Sequence, residues 1–186
     1  MINLAIAVTG ASGSIYAKTM LDTLRDLSYT AEQVSVVLSN NAIDVWNYEI
    51  GGSSYADYPF TYYDIDDFYS PLASGSSNID AMIICPCTVG TMGKISSGIA
   101  DNLITRAADV MLKERRKLIL VLREMPYNLI HINNMQTITL SGGVICPASP
   151  SFYSKPQDFT MLAKTVTDRA LKLAGVDVES YSWGEK

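Results

Sequence analysis

Apolar and polar positions follow two rhythms along this chain. Residues 3–8 form a short apolar run that ends at the turn Thr9-Gly10-Ala11-Ser12-Gly13, after which Ile15, Met20, Leu21 and Leu24 recur at helical spacing. A buried strand, a tight turn and a helix follow from that pattern. The strand signal returns at 33–38, 81–85, 117–122 and 143–146, with helical segments near 41–48, 102–115 and 128–140. A last helix is expected over 157–174, closed by Gly175. Alternation of this kind predicts an α/β fold, doubly wound, with a mostly parallel sheet and helices on both faces.

Two regions depart from the rhythm. Residues 51–77 are rich in Gly, Ser, Asp and Tyr and read as a long surface excursion with a short strand at 60–63. Residues 177–186 are a polar tail after a single domain spanning 1–176, and such tails are mobile unless docked. With 186 residues and 48% hydrophobic content, the chain can bury one substantial core. A net charge of -5 argues against a nucleic-acid partner, so any anion site must be local. No run approaches a membrane span and the first 14 residues lack a secretory signal, which makes a cytoplasmic protein the expectation. Three cysteines (Cys85, Cys87 and Cys146) and one histidine (His131) offer neither a disulfide framework nor a metal centre. The cysteines read as small buried residues rather than as a catalytic thiol.

Ligands of open parallel sheets sit beyond the carboxyl ends of the strands, where a strand-to-helix turn can offer free N–H groups to an anion. The turn at 10–13 occupies that place, although its spacing matches no dinucleotide, P-loop or nucleophile-elbow motif. Ligand binding and plain turn chemistry are equally compatible with it, and Ser12 fits a helix cap or a ligand contact. Thr88, Val89, Gly90 and Thr91 supply a second small, hydroxylated loop after the strand at 81–85, and Ser39 a third hydroxyl at the same face. Capping by Thr88 is the competing reading.

Charged positions add to this picture. Arg106 and Lys113 stand two turns apart on the helix at 102–115, about 10 Å along its axis, with Asp109 available to Arg106 as an ordinary i,i+3 partner. Arg123 and Glu124 follow directly on the apolar run at 117–122, where a glutamate beside cations can move a proton to a phosphate leaving group or form a simple ion pair. Pro126 is expected to open the next helix at its first position. The loop Pro150-Ser151-Phe152-Tyr153-Ser154-Lys155-Pro156 offers an apolar wall with a phenol, or a rigid connector, and Arg169 on the last helix is ordinarily a surface residue.

Taken together, the segment 8–13, the run 100–116 (ADNLITRAADVMLKERR), Arg123-Glu124-Met125-Pro126, Leu129-Ile130-His131 and Pro150-Ser151-Phe152-Tyr153 resemble the UbiX family of flavin prenyltransferases over residues 3–175. The resemblance implies a Rossmann-like flavoprotein that transfers a dimethylallyl group from dimethylallyl phosphate to reduced FMN without a metal. The product, prenylated FMN with a fourth ring across N5 and C6, serves a UbiD-type decarboxylase. It implies FMN contacts from Gly10, Ala11, Ser12, Ser39, Thr88, Val89, Gly90, Thr91 and Arg123. Lys113, Arg123, Glu124, Tyr153 and Arg169 are implied to hold the substrate phosphate, with Arg106 assisting from a neighbouring subunit of a homododecamer. Glu49 matches a family glutamate near the flavin and pairs with Ser12 as a relay for the N5 proton. Glu124 is implied as the acid for the departing phosphate, and Trp183 as an aromatic neighbour of the allylic cation.

The chain departs from this family at Gly90, where many relatives carry a lysine, and Lys94 one turn later is the available substitute. Two other activities remain open: an FMN-dependent cysteine decarboxylase, and a non-catalytic flavin carrier. The first normally needs an early histidine base, absent here. The second has no use for a phosphate cluster apart from the flavin.

Overall fold

The computed structural model describes residues 1–181 and 184. Its strands are β1 (Leu4–Val8), β2 (Val34–Leu38), β3 (Thr61–Tyr63), β4 (Ala81–Cys87), β5 (Lys117–Leu122) and β6 (Val144–Pro147), and they form one sheet in the order β3-β2-β1-β4-β5-β6 with every pairing parallel. Six helices connect or flank them: α1 (Ser14–Asp26), α2 (Asn40–Glu49), α3 (Val89–Ser96), α4 (Leu103–Lys113), α5 (Leu129–Leu140) and α6 (Phe159–Ala174). No described helix is long and apolar enough to cross a membrane.

Alternation along each strand divides the core in two. In β1, Leu4, Ile6 and Val8 pack with α1, α2 and α6, whereas Ala5 and Ala7 face the other side with α3, α4 and α5. Both faces are covered, which is why the strands read as continuous apolar runs. Helix ends follow from capping chemistry. Asn102, Asn128 and Asp158 cap α4, α5 and α6, and Gly175 closes α6 with the left-handed φ of 106° that a C-cap glycine accommodates.

Four expectations change. The short helix α3 was not evident in the pattern, because Gly90 and Gly93 weaken the helical signal over only eight residues. The excursion at 51–77 is not purely superficial, since Tyr58, Phe60 and Leu72 are buried, whereas the short strand expected at 60–63 is present as β3, a parallel edge strand on β2. Pro126 is not the first residue of α5, which starts three residues later behind the Asn128 cap; Pro126 instead follows a cis peptide bond. The tail is docked at its start, since Val178 is buried within the same core cluster as α1 and α6. Trp183 lies outside the described residues.

Glycine is required at one position of direct consequence for the crevice. A Cβ on Gly10 would stand 2.5 Å from the Cβ of Asn41, so only glycine lets α2 lie against the turn after β1. We expect Gly10→Ala to cost on the order of 1–3 kcal/mol in chemical denaturation, with part of the loss recovered in the double variant carrying Asn41→Gly. Equal losses in the single and double variants would disprove this contact as the cause.

Candidate functional site: the crevice at the strand ends

A buried hydroxyl organises the carboxyl edge of the sheet. Thr9, just after β1, donates from its N–H and its Oγ1 to the carbonyl of Pro86 at 3.2 and 2.8 Å, and Oγ1 accepts from the Thr88 N–H at 2.9 Å. Ser39 N–H donates to the Val8 carbonyl at 3.0 Å and Arg123 N–H to the Cys87 carbonyl at 3.1 Å. The loops after β1, β2, β4 and β5 are thereby held side by side where the strand order reverses between β1 and β4, the place where such sheets receive ligands. Gly10, Ala11, Ser12, Ser39, Thr88, Val89, Gly90, Thr91, Arg123 and Glu124 come together at this edge.

Capping and ligand contact are not exclusive here. Ser39 Oγ accepts from the Ala42 N–H at 3.1 Å and Thr88 Oγ1 from the Thr91 N–H at 3.0 Å, so each hydroxyl satisfies one donor of its helix. The earliest N–H groups of α2 and α3 have no acceptor within their own helix and lie at its positive end, suited to an anion. A Cβ on Gly90 would meet Thr88 Oγ1 at 3.9 Å, an ordinary contact, so there is room above α3. Lys94 does not fill the place of the missing lysine: its Nζ is 2.7 Å from Asp101 in an exposed pair.

The turn before α1 behaves differently from expectation. Gly13, with φ 113°, is the N-cap, and Ser12 is not. The Glu49 carboxylate accepts from the N–H groups of Gly13 and Ser14, each at 2.8 Å, and from the Ser12 side chain. The last residue of α2 thus already occupies the N–H groups at the start of α1. Burial works to raise the Glu49 pKa, but hydrogen bonds from Ser12, Gly13 and Ser14 outweigh it and hold the carboxyl below its ordinary range.

The cations divide into two groups. Arg123 lies near Tyr16, whose phenol is pushed up chiefly by burial, with Cys85 adding and Arg123 opposing. Arg169 similarly opposes the rise that burial causes at the Cys146 thiol, which places it by the carboxyl end of β6, beside the loop carrying Tyr153. Glu124 Oε1 accepts from the Met125 N–H at 3.0 Å. Lys113 and Arg106 do not join this group. Lys113 ends α4 and precedes β5, whereas Arg123 follows the other end of that six-residue strand, roughly 20 Å away. Lys113 pairs with Glu114, and Arg106 donates to the Ala73 carbonyl and pairs with Asp109 at 2.9 Å. Within one protomer the expectation that Lys113 shares a phosphate with Arg123 is corrected by this topology.

His131 is a capping residue: its Nδ1 accepts from the Asn128 N–H at 3.3 Å. Cys85 and Cys87 are fully buried with thiols pushed well up by desolvation, as small core residues would be. Thr9 was missed in the sequence because its partners lie 77 and 79 positions away, and no local pattern signals such a bond.

Fold and crevice define an α/β enzyme that holds a phosphate-bearing cofactor across a strand-order reversal. The chain matches the Flavoprotein family over residues 1–170. It is 39% identical to the flavin prenyltransferase UbiX of Methanocaldococcus jannaschii over 98% of this chain and 99% of that protein. Among solved structures it resembles AnUbiX (PadA1) in complex with FMN and dimethylallyl pyrophosphate, at a TM-score of 0.89 and 36% identity over 99% of each chain. The dodecameric FMN-dependent UbiX-like decarboxylase of Escherichia coli O157:H7 is similar at a TM-score of 0.89 and 33% identity, covering 97% of this chain and 99% of that one. The chain belongs to the Flavoprotein family and, within it, to the flavin prenyltransferases of the UbiX type. The crevice suits a flavin mononucleotide chemically: small side chains leave room for a flat ring, and the first turns of α2 and α3 suit its phosphate.

The depressed Glu49 pKa sets a sign. Its contribution to stability is present at neutral pH, above the unfolded pKa, and is lost as pH falls through the folded one. Glu49→Gln should lower the melting temperature at neutral pH, by the equivalent of about 0.5–2 kcal/mol for a lost cap, and should flatten the acid-side decline. Parallel pH–stability curves for the two proteins would count against the assignment.

Proposed function

We propose that this chain transfers a dimethylallyl group from a dimethylallyl phosphate to reduced FMN. The observation that carries the reading is the 39% identity to a flavin prenyltransferase over 98% of this chain, and the crevice at the reversal of strand order supports it. When bound, reduced FMN supplies the N5 and C6 positions that accept the prenyl group. Gly10, Ala11, Ser39 and Thr88, Val89, Gly90, Thr91 line its site, and Arg123 reaches both flavin and substrate. Arg123, Arg169 and Tyr153 bind the substrate phosphate and offset the charge that grows there as the C–O bond ionises. Glu124 gives a proton to the departing phosphate oxygen. Ser12 and Glu49 form the relay for the flavin N–H: the carboxylate accepts from the Ser12 hydroxyl and is fixed by two backbone N–H groups.

Arg106 and Lys113 enter the site from a neighbouring copy, since their own fold keeps both away from Arg123. An exposed apolar surface supports an oligomer: Met125, Leu129, Ile130 and Leu140 around α5 are 88%, 70%, 67% and 80% exposed, more than a lone surface helix would keep in water. Twelve copies, a cytoplasmic location and delivery of prenylated FMN to a UbiD-type decarboxylase complete the reading, each supported by the resemblance. A cysteine decarboxylase finds no support in His131, which is engaged as a cap.

Anaerobic incubation of the protein with reduced FMN and dimethylallyl phosphate should yield a flavin of prenylated mass. An unchanged flavin mass with bound FMN would favour a carrier. Glu124→Gln should reduce turnover about 10²–10⁴-fold while leaving FMN binding intact; undiminished turnover would remove Glu124 from the acid role. Paired Leu129→Asp and Ile130→Asp substitutions should lower the sedimentation mass, and an unaltered mass would place the interface elsewhere.

A further inference from the structure

Cations of α4 and of the turn after it converge on one loop. Leu72, in a single 3₁₀ turn (Pro71–Ala73), is buried in the same core cluster as Ala107, Val110 and Met111, which anchors the loop against α4. Arg106 Nε donates to the Ala73 carbonyl at 3.0 Å and Arg116 Nη2 to the Gly75 carbonyl at 2.7 Å, while Lys113 and Glu114 pair across the open face of Gly75. Ser74 and Ser76, joined Oγ to Oγ at 2.9 Å, brace the loop on either side of the glycine.

Space, not backbone conformation, demands glycine at position 75. Its φ is not positive, so its backbone admits any residue. A Cβ there would nevertheless stand 2.7 Å from Lys113 Nζ and closer still to the Glu114 carboxylate. Both obstructing groups are the tips of long side chains, so a methyl group at this position displaces the pair and leaves the fold intact. The Lys113 and Glu114 side chains are 45% and 36% exposed, and an ion pair this open to water adds little to stability. Glu114 stays a carboxylate, because the hydrogen bond and charge of Lys113, with Arg116 assisting, outweigh desolvation and hold its pKa below the ordinary range. What glycine and glutamate achieve together is placement. One N–H of the ammonium is given to Glu114, and the others remain for an outside anion.

From this arrangement we infer that Gly75 and Glu114 are positioning residues for Lys113, fixing its ammonium for the substrate phosphate held in the crevice of a neighbouring copy. The inference rests on the proposed reading in which Lys113 enters the site from a neighbour, and it adds how that cation is aimed. A lysine on its flexible four-carbon stem loses rotamer freedom when it binds, which weakens the contact it makes. An ammonium already held by Glu114, over a residue with no side chain, has less ordering left to undergo. Arg106 is restrained in the same way by Ala73 and Asp109, so one loop aligns both cations.

Calorimetric titration of dimethylallyl phosphate into the oxidised, FMN-loaded protein reads donor binding without transfer. Gly75→Ala should weaken it roughly tenfold, the scale of one charge-assisted hydrogen bond, and Glu114→Ala should act in the same direction. FMN affinity, melting temperature and sedimentation mass should stay at native values. Added to Lys113→Ala, the Gly75→Ala change should cost nothing further, because the group it displaces is gone. Native binding by Gly75→Ala, an undiminished extra loss in the double variant, or a loss that follows a lower sedimentation mass each overturns the inference alone. Native binding by Lys113→Ala instead removes Lys113 from the site, and the inference with it. Absence of prenylated flavin from the native protein and reduced FMN rejects the prenyl-transfer reading, while the titration still decides whether Gly75 and Glu114 act through Lys113.

Discussion

The Thr9 hydroxyl, buried between the ends of β1 and β4, gives to Pro86 and takes from Thr88, and the crevice depends on it. The loops after these two strands leave the sheet in opposite directions, because the chain winds outward through β2 and β3 before returning to β4. Such a divergence opens a cleft by topology alone. What topology does not supply is register between the two loops, and a hydroxyl with both donor and acceptor satisfied fixes it. In a low-dielectric interior such a pair is costly to break, since each freed partner would be left without water.

Around that anchor the helix starts are used unequally. Glu49 fills the start of α1 and remains a carboxylate there, so the turn most reminiscent of a phosphate cradle has been given an internal anion instead. The starts of α2 and α3 keep their earliest N–H groups. On the proposed function this separation would let one crevice hold two kinds of chemistry, an anionic cofactor group at α2 and α3 and the hydroxyl–carboxylate pair of Ser12 and Glu49. Gly10 makes the arrangement possible, because any side chain there would push α2, and Glu49 with it, away from α1.

The same economy of placement appears among the cations. Arg123 and Arg169 reach the crevice because they follow or face the carboxyl ends of β5 and β6. Arg106 and Lys113 lie on a helix that runs back toward the other end of the sheet and make their contacts with 71–77 and with neighbouring acids. A family pattern in a linear sequence gathers all four, and the fold of a single chain separates them. Apolar exposure on α5 is the surface on which the proposed neighbouring copy would pack.

The sequence by itself determined much of this protein. Apolar runs of four to seven residues placed five strands and the aromatic stretch at 60–63 the sixth, and the central strands carry the signal most clearly because both their faces are covered. The small-residue loops at 10–13 and 88–91, Ser39, and Arg123 with Glu124 were all legible as crevice residues from their positions just past strands. Only the tertiary structure decided which helices cover which face, that Thr9 locks two loops 77 positions apart, and that Glu49 occupies α1. Likewise it alone removed Lys113 from Arg123 and set Lys164, Arg169 and Lys172 around one pocket with residues of the tail. Periodicity records which side of an element is buried, but a hydrogen bond or charge pairing between distant segments leaves no trace in the spacing of either one.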